Sequence, residues 1–361
     1  MTAAGPMMIE PFRYEPQPAR VLFGKGRLDE LGEAVASLGG ERALIVSTKE
    51  QAGTATELAR RLGDRAGGTF ARAVMHTPVE VTDEALEYLS ECRADCLVAI
   101  GGGSSIGLGK ALALRTDLPQ VAIPTTYAGS EMTDILGETK GGEKTTQRSR
   151  KILPEVVIYD VELTLSLPPR LSATSGMNAI AHAVEALYAR DGNPITGLMA
   201  EDGIRAFGVS LPGIVEAPDD RALRSQAQYG AFLCGACLGA VSMALHHKLC
   251  HVLGGTFDLP HAETHAIVLP HAVAYNAPAA PQAMARIARA LGTEDAAAGL
   301  FDLATRLGVP KGLKSIGMPP DGIHRAVALA LKNPYWNPRP LEADALRRLI
   351  ANACEGSAPG T

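Results

Sequence analysis

Residues 96–114 read CLVAIGGGSSIGLGKALAL. Five apolar residues, Cys96 to Ile100, run directly into Gly101-Gly102-Gly103, and a helically periodic run follows Ser104-Ser105. A continuous apolar run closed by glycine reads as a strand covered on both faces, the kind found in parallel sheets. Glycine lets a backbone approach a phosphate closely, and the N-terminus of the next helix offers free N–H groups and a positive dipole end. Gly101, Gly102, Gly103, Ser104 and Ser105 are therefore candidate phosphate-binding residues, with Lys110 one to two turns into the helix. The stretch is neither GxGxxG nor a Walker A sequence. A plain strand-to-helix turn remains the competing reading.

Working outward, RVLFG (20–24), ALIVS (43–47), QVAIP (120–124) and EVVIYD (155–160) have the same strand character, and GTATELARRLG (53–63) is helical. Such alternation predicts an open parallel sheet with helices on both faces. Beyond about residue 165 strand signals stop. Pro168-Pro169 opens a series of alanine-rich helical segments: LSATSGMNAIAHAVEALYAR, QAMARIARALG, GIHRAVALALK and DALRRLIANAC. The expected architecture is an α/β nucleotide-binding domain over 1–163 and an all-α domain over 164–361, with ligands in the cleft between them. A hydroxyl-rich loop, PTTYAGSE (124–131), follows one of the strands. Thr125, Thr126 and Ser130 can hydrogen-bond a ribose or an amide, or satisfy local backbone, and the sequence does not separate the two.

Net charge is −5 with both signs interspersed. No basic stripe suggests nucleic acid. No apolar run approaches the roughly 18 residues of a membrane span. The N-terminal MTAAGPMMIEPFRYEP lacks the features of a signal peptide, and the dispersed cysteines read as reduced, so a cytoplasmic protein is expected. Cys234 and Cys237 form a CxxC, but AFLCGACLGA is small and apolar and reads as packing rather than redox chemistry.

Six of the nine histidines fall between residues 246 and 271: His246, His247, His251, His261, His265 and His271. His247 and His251 are four apart in a helix expected to end at Gly254-Gly255. His261 and His265 are four apart after Pro260, and Asn178 and His182 are four apart upstream. Such pairs share a helix face. Three of them converging on one cavity make either a metal centre or an acid–base cluster.

The order GGGS…K, PTT…GSE, SGMNAIAHAVEALY, HHKLCHVLGGTFDLPH resembles the iron-containing (group III) alcohol dehydrogenases over nearly the whole chain. That resemblance implies a dehydroquinate synthase-like fold, NADH or NADPH as cofactor and a homodimer. In metal-dependent members an aspartate and three histidines hold a divalent ion. The matching positions here are Asn178, His182, His247 and His261, with His251 near the nicotinamide. The chain departs from the family at Asn178, which replaces the aspartate, at Gly107, which replaces another, and at Thr48, where an acid commonly excludes a 2′-phosphate. A neutral amide is a poor Fe²⁺ or Zn²⁺ ligand beside imidazoles.

GGGSSIGLGKALAL, PTTYAGSEMTDILGETKGGEKTT, SGMNAIAHAVEALYA and KNPYWNPRP are together similar to one branch of that family. Its members reduce the carbon–carbon double bond of 2-maleylacetate to 3-oxoadipate in aromatic-compound degradation. The branch implies a small dicarboxylate substrate and no required divalent metal. Imidazoles at His182, His247 and His251 would then act as oxyanion donors and proton carriers. Lys144 and Arg148, in the loop GGEKTTQRSRK (141–151), and Arg339 are candidate carboxylate partners. Tyr335 and Trp336 line the cleft or the core. The alternatives are a metal-dependent alcohol dehydrogenase of the same family, and a metal-dependent carbon–oxygen lyase on the related fold that consumes no net nicotinamide.

Overall fold

The computed structural model describes residues 11–14 and 19–360. Most of the N-terminal stretch read above for a leader lies outside them, as does the side chain of Lys144. The strands are β1 (Arg20–Phe23), β2 (Ala43–Val46), β3 (Ala66–Phe70), β4 (Cys96–Gly101), β5 (Gln120–Pro124), β6 (Ile135–Lys140), β7 (Glu143–Arg148) and β8 (Val156–Tyr159). Six of them form one parallel sheet in the order β1-β8-β5-β4-β2-β3. The helices beside it are α1 (Leu31–Ser37), α2 (Ala52–Leu62), α3 (Val79–Glu91) and α4 (Gly103–Thr116).

Alternation along each strand serves two cores. Ala43, Ile45, Val98, Ile100, Val121 and Ile123 pack with Leu31, Val35, Leu58 and Leu62 of α1 and α2. Leu44, Val46, Leu97, Ala99 and Ala122 pack with Ala85, Leu89, Leu108 and Leu112 of α3 and α4 on the other face. Burial on both faces is why these strands read as unbroken apolar runs.

Nine helices follow: α5 (Pro169–Tyr188), α6 (Pro194–Glu216), α7 (Arg221–Ala240), α8 (Leu245–Phe257), α9 (His261–Asn276), α10 (Pro281–Leu291), α11 (Ala296–Arg306), α12 (Gly322–Lys332) and α13 (Ala343–Glu355) among the described residues. They enclose a separate apolar core. Pro169 occupies the first turn of α5, where a missing N–H costs nothing. No single described helix is long and apolar enough to cross a membrane.

Three sequence expectations are corrected. Gly254-Gly255 does not end its helix: α8 continues to Phe257 and is closed by Asp258 at φ 53°, because packing against α9 and α12 outweighs glycine's weak helix propensity. The stretch from Glu143 to Arg148, read as a loop, is β7. It pairs with β6 around Gly141-Gly142, both at positive φ, a turn that suits a two-residue hairpin. Strand β3, AGGTF, was not foreseen, since Gly67 and Gly68 carry no strand signal. Cys234 and Cys237 are buried in α7, as their apolar context suggested.

Gly235, between those cysteines, meets the hydroxyl-rich loop backbone to backbone. A Cβ there would lie 2.5 Å from the Gly129 carbonyl oxygen. Gly235→Ala is expected to lower stability by about 1–3 kcal/mol, read as a fall in Tm of several degrees. An unchanged Tm would mean that the loop has room to move.

His271 is buried in α9, and burial holds its imidazole down at about 4. Between about pH 6.5 and pH 4 the unfolded chain binds a proton that the folded chain does not, so stability falls by up to about 3 kcal/mol as pH drops through that window. His271→Leu removes this contribution. Denaturant midpoints at neutral and mildly acidic pH are expected to show a smaller acid loss in the variant. Equal losses in both proteins would refute the assignment.

Candidate active site

The sheet presents its carboxyl edge to the helical domain through two loops. Gly101 ends β4 at φ 141°, and Gly102 starts α4 without any side-chain cap. The N–H groups of the first turn of α4 are thus free of side-chain acceptors. A Cβ on Gly101 would fall 2.4 Å from Ser105 Oγ and 2.8 Å from Gln51 Oε1, and one on Gly102 would meet Thr126 at 3.0 Å. The glycines keep open a cradle that side chains would fill. Gln51 Oε1 and Ser105 Oγ beside it, and Ser130 Oγ in the hydroxyl-rich loop, are buried with no partner among the described residues, as expected where a polar ligand completes the bonding. Thr125 is engaged by Gln51, whose Nε2 donates to its Oγ1 at 2.7 Å. Gln51 was not singled out from the sequence. It lies just after Thr48, which starts the turn following β2.

Lys110 is corrected as a phosphate ligand. Its Nζ is buried and donates to the carbonyl oxygens of Ser130 (2.5 Å), Thr133 (2.7 Å) and Ile135 (3.0 Å) and to Thr133 Oγ1 (2.8 Å). Three N–H bonds directed at four oxygens leave none for a phosphate. Lys110 instead holds the segment carrying Ser130.

The histidine region is built on one face of α5, which carries Asn178, His182 and Glu185. Glu185 has no exposed surface. It accepts the backbone N–H groups of Ala244 and His246, both at 2.7 Å, and His247 Nδ1–H at 2.8 Å. His247 Nε2 in turn shares a hydrogen bond of 2.9 Å with His182 Nδ1. His182 Nε2 lies 3.3 Å from the carbonyl oxygen of Ala128, in the hydroxyl-rich loop, so this contact joins the two domains. Burial, and then the neighbouring His247, hold His182 well below the usual histidine range. Asn178 Oδ1 is buried without a partner.

His251, one turn after His247, is exposed and shares a hydrogen bond of 3.0 Å with the Tyr335 hydroxyl. The Lys248 ammonium lies 5.5 Å from the Tyr335 ring centroid. Asn337 anchors the segment bearing Tyr335 by exchanging two hydrogen bonds with Asn276. His261 is exposed at the start of α9, its ring 4.2 Å from that of His265. Trp336 lies apart from the histidines, in a groove with Leu187, Tyr188 and Pro281. Arg339 stacks on Tyr275 at 4.4 Å and donates to its carbonyl oxygen, and Arg148 pairs with Asp134. Both guanidinium groups are thereby engaged within the protein.

Sequence models described as "Iron-containing alcohol dehydrogenase" and "Fe-containing alcohol dehydrogenase family, C-terminal" match residues 18–161 and 172–354. The chain belongs to the iron-containing alcohol dehydrogenase family. It is 57% identical to the maleylacetate reductase of Burkholderia cepacia over 348 residues, covering 96% of this chain and 99% of that one. The crystal structure of maleylacetate reductase from Agrobacterium tumefaciens matches with a TM-score of 0.94 at 55% identity, covering 97% of this chain and 100% of that one. A sulfoacetaldehyde reductase from Bifidobacterium kashiwanohense, solved in complex with NAD⁺, matches with a TM-score of 0.88 at 26% identity over 95% and 99% of the two chains. Like these relatives, this member of the iron-containing alcohol dehydrogenase family is an oxidoreductase.

The iron that names the family does not suit the donors here. Asn178 offers a neutral amide oxygen in place of a carboxylate. His247 Nε2 and His182 Nδ1 lie 2.9 Å apart. The one described set of three His, Cys, Asp or Glu side chains with ligand atoms within 4.8 Å of one another is His246, Cys250 and His265, so His182, His247 and His261 do not converge in this way.

The sequence reading missed Glu185, although its position seven residues after Asn178 and three after His182 was a usable signal. Glu185→Gln places an NH₂ group against N–H donors. Stability is expected to fall by about 3 kcal/mol, and kcat at least about 10-fold as the His247 tautomer is lost. Denaturation and steady-state assays check this. An undiminished kcat would show that His247 is oriented without Glu185.

Proposed function

We propose that the chain reduces the carbon–carbon double bond of 2-maleylacetate to 3-oxoadipate, using NADH or NADPH and no divalent metal. The match to maleylacetate reductases over almost the whole chain supports the substrate. The observation that carries the metal-free reading is the uncharged Asn178 in place of a carboxylate, its Oδ1 buried with no partner among the described residues. The uncapped start of α4 and the unpartnered Gln51, Ser105 and Ser130 atoms fit a dinucleotide. The absence of an acid at Thr48 leaves both nicotinamide cofactors admissible.

Reduction of the conjugated enone adds hydride, supplied by the bound nicotinamide, to the carbon β to the ketone, and a proton to the α-carbon. His182, kept neutral by burial, serves this reaction as a hydrogen-bonding group rather than as an acid. The proton comes instead from the exposed His251, whose Nδ1 shares a hydrogen bond with the Tyr335 hydroxyl and so couples it to a second proton-bearing group. Asn178 leaves the site without a carboxylate facing the anionic substrate.

Oxidation of NADH and NADPH with 2-maleylacetate, with and without EDTA, tests the reading. Turnover to 3-oxoadipate that EDTA leaves unchanged is expected, and His251→Ala is expected to lower kcat by roughly 10²-fold. Absence of turnover would overturn the substrate, and EDTA inhibition would overturn the metal-free mechanism.

A further inference from the structure

Two buried histidines and a buried thiol lie beside the pair that Glu185 orders. His246 and Cys250 are one turn apart on α8, and His265 faces them from α9. Their exposures are 0%, 2% and 1%. His246 Nε2 is 3.1 Å from His265 Nδ1 and 3.7 Å from Cys250 Sγ, and the three ligand atoms lie within 4.8 Å of one another. An ion held tetrahedrally by two imidazoles and a thiolate separates such atoms by roughly 3.3–3.6 Å, given the usual Zn–N and Zn–S lengths. The His246–His265 and His246–Cys250 separations are within a few tenths of an ångström of those values.

The hydrogen bonding of the trio does not close within the protein. His246 Nδ1 and His265 Nε2 are buried with no partner among the described residues. Whichever imidazole donates across the 3.1 Å contact, one buried N–H and one buried lone pair stay unmet. With both inner lone pairs on an ion, the two outer nitrogens both carry protons, the form in which metal-bound imidazoles bond outward to water or carbonyls. Cys250 is a thiol in the core, raised by burial and by Glu185. Only a cation with strong thiolate affinity displaces that proton, which selects Zn²⁺ or Cd²⁺ over Mg²⁺ or Ca²⁺.

We propose that His246, Cys250 and His265 form a binding site for a thiophilic divalent cation, and that its occupation suppresses turnover. Binding forms one metal–sulfur bond and two metal–nitrogen bonds, and one proton leaves Cys250 for solvent. The site is separate from the family positions Asn178, His182, His247 and His261, and it does not depend on the substrate assignment. His261, exposed and with its ring tilted against that of His265, marks its solvent side. Inhibition follows from two contacts. The backbone N–H of His246 is one of the three bonds that hold Glu185, so a shift of His246 disturbs the orientation of His247. The rings of His246 and His265 also lie 5.2 and 5.1 Å from that of His247, close enough for an added positive charge to act on it.

Chelator-treated protein titrated with Cd²⁺ tests the proposal. The expected result is one equivalent bound, with a thiolate-to-metal absorption band, about one proton released per ion, and falling turnover as the site fills. Cys250→Ser, and separately His265→Asn on the other helix, are expected to abolish the band and weaken binding at least about 10-fold. Unaltered circular dichroism would show that these variants fold. His182→Ala is expected to keep the band. No band in the wild type, a band that survives Cys250→Ser, or loss of the band in His182→Ala would overturn the site. A saturated band with full turnover would overturn its inhibitory role.

Discussion

A carboxylate with no exposed surface survives in a protein core only if hydrogen-bond donors replace its water. Glu185 meets that condition with three N–H groups, and much of the site follows from the choice of those three. Two belong to the start of α8, which has no side-chain cap of its own. The carboxylate on α5 therefore caps α8 from outside, at the positive end of its dipole. The third donor is His247 Nδ1, which sets the tautomer of that ring. Its Nε2 shares a hydrogen bond with His182 Nδ1, and His182 Nε2 in turn abuts the Ala128 carbonyl. One buried charge thus aligns two helices, a pair of imidazoles and a loop from the other domain.

The same loop is held from the sheet side by the opposite charge. Lys110 lies in the core of the N-terminal domain and directs its ammonium at the carbonyls of Ser130, Thr133 and Ile135. Nearby, buried Glu131 accepts the Tyr159 hydroxyl at 2.7 Å. Each domain therefore fixes one part of the segment between Thr125 and Ile135. At its middle, Gly129 rests on Gly235 of α7, a contact that admits no side chain on either residue. Such clamping positions Ser130 Oγ, which has no protein partner, without using the hydroxyl itself. Preorganisation of this kind lets a ligand bond to a group whose placement has already been determined by folding.

Legibility in the sequence followed burial. Strands β2, β4, β5 and β8 could be read because side chains on both faces are apolar, which produces an unbroken run. The hairpin β6–β7 escaped notice because ETKGGEKTTQR has little apolar content on either face, and only the Gly141-Gly142 turn marked it. The helical spacing of Asn178 and His182, and of His247 and His251, placed those pairs on shared faces. It could not show that His251 turns to solvent while His247 is buried. Lys110 illustrates the complementary limit. Position along a helix puts a lysine near a glycine loop, but the direction of a long side chain depends on which oxygens the tertiary fold offers. Glu185 was hidden by its setting, since a carboxylate within AIAHAVEALY reads as a helix surface until its three donors are visible.

On the proposed function, Asn178 is an electrostatic adjustment that accompanies a metal-free site. An aspartate among imidazoles is compensated when an ion is present, because the ion's two positive charges exceed its own. Without the ion, an aspartate would face a dicarboxylate substrate uncompensated. At about 6 Å and an effective dielectric near 20, each carboxylate–carboxylate repulsion is about 3 kcal/mol, enough to weaken binding more than 100-fold. The amide keeps the shape and the oxygen while removing the charge. A ketone oxygen that must be polarised for carbonyl reduction benefits from a Lewis acid, whereas an enone accepting hydride at its β-carbon needs a proton delivered at the α-carbon. A buried histidine pair fixed by Glu185, with a solvent-linked His251 and Tyr335 alongside, suits the second chemistry. On that reading, the departure at Asn178 and the direct His182–His247 contact belong to one change, from a site organised around a cation to a site organised around an anion.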